Sequence, residues 1–112
     1  VSDKHNSLEE YIVENLKDID PNTRKTPGSG CGASNGDISN KFFFVESKIK
    51  HTKENIIIDY KNEWLILTTR MPLQSKKIPI IVTENKYGDK FVTMDADDFF
   101  ELARKAFNDQ NR

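Results

Sequence analysis

Apolar positions recur in two different periods along the chain. Leu8, Tyr11, Ile12, Leu16 and Ile19 follow helical spacing. Ser7-Leu8-Glu9-Glu10 in front of them reads as a capping box, with Ser7 as N-cap and Glu10 reaching back from the third helical position. Residues 1–6 read as a frayed start, and Asp20-Pro21-Asn22 as the stop. Residues 22–27 read as a short extended segment. Lys41–Lys50 alternates: Phe43, Val45, Ser47 and Ile49 face one side, and Phe42, Phe44, Glu46, Lys48 and Lys50 the other. Apolar residues on both faces early in this run predict a central, well-covered strand, entered through a tight turn at Ser39-Asn40. Within Ile56–Met71 the residue types at 56–58 and 64–69 are β-prone, whereas Trp64, Leu65, Thr68 and Met71 share a helical face. A helix over residues 60–71, stopped near Pro72, is expected because it supplies the crossover to the next strand. That strand is Ile78–Glu84. Residues 85–89 form a turn, and Lys90–Met94 is the hairpin partner. Asp95 N-caps a last helix, with Asp98 at the third helical position and an apolar face of Phe99, Leu102, Ala103, Ala106 and Phe107. The predicted class is α/β, of the mixed α+β kind: one domain over residues 1–112 in the order αβββαββα. Its central mixed sheet has four to five strands flanked by helices.

Composition narrows the class without changing the outline. With 112 residues, 31% charged and 36% apolar, the chain suits a single soluble globular domain with one modest core. No apolar run approaches the length of a membrane span, and the polar start shows no signal peptide. Cys31 is the lone cysteine, so a reducing, cytoplasmic setting is expected. Net charge is −1, but residues 21–53 hold six basic residues (Arg24, Lys25, Lys41, Lys48, Lys50, Lys53) against Asp37 and Glu46, a local +4. A positive middle between acidic ends guides a polyanion to one face; ordinary surface lysine is the alternative.

The candidate chemistry lies in that basic middle. Residues 28–36 contain four of the five glycines beside small polar residues, but lack the Gly-Lys-Ser/Thr ending of a phosphate-binding P-loop. A Gly-Ser loop next to Arg24 and Lys25 lets backbone N–H groups and Ser29 approach phosphate, or else is a plain linker. Asp37 then precedes the turn, and Glu46 and Lys48 project from one side of the strand. A hairpin would bring two carboxylates and an ammonium together, as a nuclease does around a divalent cation. Glu84-Asn85-Lys86 repeats the Glu-x-Lys spacing but has no Asp across a preceding hairpin, and reads as surface charge. Asp95, Asp97, Asp98 and Glu101 are explained by helix capping and dipole complementarity. His5 and His51 lack a Cys/His ligand set, which argues against zinc. No base is near Cys31 in sequence to activate its thiol.

Taken in order, the first-helix acid, Arg24-Lys25-Thr26-Pro27-Gly28-Ser29-Gly30, Gly36-Asp37, Glu46-Ser47-Lys48, Trp64 and Ile78-Pro79-Ile80-Ile81-Val82 resemble the PD-(D/E)xK nuclease superfamily. The likeness is to the small archaeal-type and phage-type Holliday junction resolvases, and runs from Ser7 to Phe107. Two departures stand out: Pro72 falls where the family's middle helix runs, and the Asp37–Glu46 spacing is short. The resemblance implies a restriction-endonuclease-like core and a homodimer that cuts branched or duplex DNA with Mg²⁺, or Mn²⁺ in its place. It implies Asp37, Glu46 and the Ser47 backbone carbonyl as metal ligands, and Lys48 as the group that orients or activates water. It also implies Glu9, beside Glu10, as a further acid, with Ser29 and Arg24 near the scissile phosphate. Lys25, Lys50 and Lys53 would contact phosphates. A nickase on the same fold, a non-cutting DNA-structure-binding module and a protein-interaction domain are the competing expectations.

Overall fold

The computed structural model describes residues 2–27 and 36–110. The elements are α1 (Ser2–Leu16), β1 (Arg24–Lys25), β2 (Ile38–Ser39), β3 (Phe43–Lys50), a π-helical turn (Tyr60–Trp64) running into α2 (Leu65–Arg70), β4 (Ile78–Asn85), β5 (Lys90–Met94) and α3 (Ala96–Gln110). The strands form one sheet in the order β1-β2-β3-β4-β5. Only β3 and β4 are parallel, joined by the helical crossover that a parallel pair needs. The result is an α+β domain with a five-stranded mixed sheet and three helices, in the expected element order.

The alternation along β3 sorts the core into two layers. Val45, with Phe43 and Ile49, packs with Leu8 and Ile12 of α1 and with Ile80 and Val82 of β4. Phe44 points the other way, onto Leu67 of α2 and Ile81, with Trp64 and Met71 around it. β3 and β4 are thus buried on both faces.

Two helix boundaries depart from the sequence reading. α1 begins at Ser2, so Ser7 lies inside the helix, exposed, and no capping box forms. No Gly or Pro interrupts residues 2–16, and an interior Ser costs only about 0.5 kcal/mol, so an N-cap preference alone does not stop the helix. At its other end α1 stops at Leu16, short of Ile19, which is left exposed. The stop is a buried polar clamp. Asp20 accepts from the Asn22 amide at 3.1 Å and the Lys41 amide at 2.8 Å. Thr23 Oγ1 donates to the Asp20 carbonyl at 2.6 Å and accepts from Asn40 Nδ2 at 2.8 Å, while Asn40 Oδ1 accepts from the amides of Phe42 and Phe43. Buried side chains of this kind persist only when paired, and here the pairing ties the end of α1 to the β2–β3 turn.

The crossover is helical as expected, with one inserted residue. The Trp64 amide reaches back five residues to the Asp59 carbonyl, at 3.2 Å. Leu67 enters the core between Trp64 and Met71, on one ordinary helical face, where Leu65 was expected, and Leu65 is exposed. Met71 is extended, as a residue before proline prefers, so α2 ends at Arg70. The apolar face of α3 forms, but Phe99 and Phe107 remain exposed.

Candidate active site

β2 separates from β3 at Asp37, and Gly36 is what permits it. Gly36 has φ +71, a left-handed conformation, and a Cβ there would stand 2.5 Å from the Val45 carbonyl oxygen. Next along, the Asp37 amide donates to that same oxygen at 2.8 Å. The Asp37 carboxylate then replaces the missing strand partner: Oδ2 accepts from the Ser47 amide at 2.8 Å and from Ser47 Oγ at 3.2 Å. Ser47 Oγ also lies 3.5 Å from Oε2 of the buried Glu9. Asp37, Ser47 and Glu9 thus form one hydrogen-bonded group on the α1 side of β3.

Glu46 and Lys48 alternate to the α2 side. Lys48 Nζ is 3.5 Å from Glu46 Oε2, and Arg70 Nη1, from the end of α2, is 3.7 Å from Oε1. The Glu46 side chain is 14% exposed. Burial, and after it the nearby Asp37 charge, push its carboxyl above the ordinary value, against the opposing pull of Lys48 and Arg70. Glu46 Oε1 and Arg70 Nη2 are both buried without a hydrogen-bond partner. Thr83 Oγ1 is a third such atom, and Thr83 sits opposite Lys48 in the β3–β4 register, on this same face. Sequence reasoning missed Arg70 and Thr83. A lone Thr in an otherwise apolar strand run was the available signal for Thr83; for Arg70 there was none.

The remaining expected residues are distributed as follows. Arg24 and Lys25 lie exposed on the edge strand β1, with Lys25 3.9 Å from Glu10. Ser29, like Cys31, lies outside the described residues. Lys50 is engaged within the protein: its ammonium is 2.9 Å from both the Ile57 carbonyl and Glu63 Oε1, pinning the π turn to β3. Lys53 is exposed beyond the end of β3. Glu84, read as surface charge, is instead a largely covered carboxylate bonded to His51 and paired with Lys90 at 3.1 Å, so His51 is not isolated. Burial raises the Glu84 carboxyl, but the His51 and Lys90 bonds outweigh it and hold it below the ordinary value.

Among the described residues no three His, Cys, Asp or Glu side chains are grouped to hold a metal ion. The expected convergence of Asp37, Glu46 and Lys48 is met only in part: Glu46 and Lys48 meet on the α2 side, while the Asp37 carboxylate is bonded to Ser47 on the α1 side. The donor types, two carboxylates and a backbone carbonyl, suit Mg²⁺, which commonly takes one or two carboxylates and completes its shell with water and substrate phosphate. The orphaned Glu46 Oε1 and the raised carboxyl beside Asp37 fit a site that gains from an added cation. Comparison with family models, characterised proteins and solved structures finds no match. Among the described residues no helix is long and apolar enough to cross a membrane.

Proposed function

We propose that the chain is a divalent-cation-dependent endonuclease acting on branched DNA, resembling the PD-(D/E)xK junction resolvases and working as a homodimer in the cytoplasm. The observation that carries this reading is the incomplete polar face of β3: Glu46 Oε1, Arg70 Nη2 and Thr83 Oγ1 buried without partners, beside the half-exposed Lys48 ammonium. Buried polar atoms of this kind are costly unless a ligand completes them. Asp37, Glu46 and the Ser47 carbonyl would hold Mg²⁺, which supplies charge on the phosphate and a more acidic water.

The chain's own groups do the rest. The Ser47 amide and hydroxyl hold the Asp37 carboxylate in place, and Glu9 backs Ser47. Lys48 presents positive charge where negative charge accumulates on phosphate oxygens in the transition state, and passes or orients the proton of the attacking water. Arg70 opposes the effect of burial on Glu46 and places a second positive group beside Lys48. Arg24, Lys25 and Lys53 extend the phosphate contacts, so affinity falls with salt.

A second reading has its own support. Lys48 and Arg70 already neutralise Glu46 without a metal, which suits a DNA-structure-binding module that does not cut. Labelled four-way junction, flap and linear duplex, each incubated with Mg²⁺ and wild type, Asp37→Asn or Lys48→Ala, separate the readings. The nuclease reading expects cut branched DNA, with both variants inactive yet still binding. Binding without cleavage by wild type supports the module. Equal cleavage by the variants removes the assigned site.

A further inference from the structure

At the opposite end of β3 from Lys48, a cavity of about 720 Å³ opens between the starts of β3 and β4 and the middle of α3. Its walls are apolar, with Phe42, Phe43, Ile78 and Leu102. Lys41, Lys76, Lys77 and Lys105 also line it, and among the described residues no carboxylate does. The volume lies in the range of small-ligand sites. An apolar chamber with the ammonium groups of Lys41, Lys76 and Lys105 in its lining fits an occupant with an apolar body and negative groups at its margin. Phe42 narrows the choice to a flat aromatic body: the residue is 43% exposed, and the Lys41 ammonium lies 5.6 Å from the ring centroid. An exposed aromatic face with cations around it is the arrangement on which unpaired bases stack while their phosphates are neutralised.

We propose that this cavity receives an unpaired nucleotide of the DNA substrate, its base against Phe42 and its phosphates on Lys41, Lys76 and Lys105. The proposal rests on the nuclease reading and specifies its substrate. The preferred substrate therefore carries an unpaired nucleotide, as a fork, a flap or an opened junction does.

Fluorescence anisotropy with Ca²⁺ in place of Mg²⁺ measures affinity without cleavage. The probes are a forked DNA with an unpaired arm and a fully paired duplex of the same sequence, at one ionic strength. Wild type is expected to bind the fork at least tenfold more tightly. Phe42→Ala removes most of that preference and changes duplex affinity less than twofold. Phe42→Leu, which keeps an apolar side chain at this exposed position, gives the same result if stacking is the cause. A double Lys41→Ala, Lys76→Ala variant lowers fork affinity more than duplex affinity. Equal binding of fork and duplex by wild type, or a preference that survives in the Phe42 variants, overturns the cavity's assignment and leaves the nuclease reading standing. Absence of binding to either DNA overturns the nuclease reading itself.

Discussion

Replacing Gly36 by alanine tests the link between backbone and site at its narrowest point. Two costs arise. An L-residue held in the left-handed region costs about 1–2 kcal/mol. The added Cβ also meets the Val45 carbonyl oxygen at 2.5 Å, and its carbonyl carbon and amide nitrogen at 3.3 Å. These are backbone atoms of a central strand and cannot swing aside, so β2 must shift. That shift stretches the Asp37 amide bond to Val45 and both bonds from Ser47 to the Asp37 carboxylate. A neutral bond contributes about 1 kcal/mol and one to a charged group somewhat more. Gly36→Ala should therefore destabilise the protein by about 3 to 5 kcal/mol, a large part of a small domain's stability. Gly88 is the internal control. It too has positive φ, at +82, but nothing lies within 4 Å of the place a Cβ would take there, so Gly88→Ala should cost only the conformational penalty of about 1–2 kcal/mol. Urea unfolding at neutral pH measures both. Equal losses for the two variants, or a Gly36→Ala loss under about 1 kcal/mol, would refute the close-approach reasoning.

Three further outcomes follow from single side chains. Glu84 has a folded pKa held below 4.5, so its charge contributes stability above that value and the contribution is lost as pH falls through the folded pKa. Glu84→Gln should lower the unfolding midpoint at pH 7 and flatten the acid limb of the stability curve below pH 4.5; an unchanged acid limb would exclude the His51–Glu84–Lys90 cluster as its source. Glu46 has the opposite sign. Its folded pKa is raised above 4.5, so ionisation costs stability as pH rises through it, and Glu46→Gln should stabilise the fold at pH 7 while abolishing cleavage. A variant less stable than wild type at pH 7 would show that the Lys48 and Arg70 pairings outweigh burial. Thr83→Val replaces a fully buried hydroxyl that has no partner by a methyl of similar shape, and should raise stability by about 1 kcal/mol in urea unfolding; a loss of that size would mean that the hydroxyl is satisfied.

Strong local patterns were legible. The alternation from Phe43 to Lys50, the apolar run from Ile78, the turn at residues 85–89 and Asp95 as a cap each needed only neighbours within a few residues, and each element stands where the pattern put it. The residue types of Asp37, Glu46 and Lys48 were legible for the same reason. What escaped depends on distant contacts. Thr23 meets Asn40 across 17 residues and Asp20 meets the Lys41 amide across 21, and nothing local distinguishes Asp20 from an ordinary helix stop. Arg70 reaches Glu46 from the far end of the crossover, and whether Leu65 or Leu67 enters the core depends on how α2 sits on Phe44. Helical periodicity marked the apolar face of α3 without saying whether anything covers it, and Phe99 and Phe107 are uncovered.

The two faces of β3 differ in a way that bears on where substrate meets the protein. On the α1 side Asp37, Ser47 and Glu9 bond to one another, and Asp37 takes over a strand hydrogen bond that β2 gives up. That group is complete without a ligand, and its removal should be felt first in folding. On the α2 side a buried carboxylate oxygen, a guanidinium nitrogen and a hydroxyl go without partners, beside an ammonium that remains half in solvent. Leaving three polar atoms unsatisfied costs more than an apolar core of the same shape would. Among the described residues, three of the four buried side-chain atoms without a partner lie around Lys48; the fourth is Thr26 Oγ1, just after β1. A phosphate with its oxygens near Arg70 and Lys48 would meet this unsatisfied capacity on one side, and a cation near Glu46 and Asp37 would meet it on the other. On the nuclease reading, the asymmetry favours the α2 side of β3 for the scissile phosphate, with the α1 side acting as the support that keeps Asp37 still.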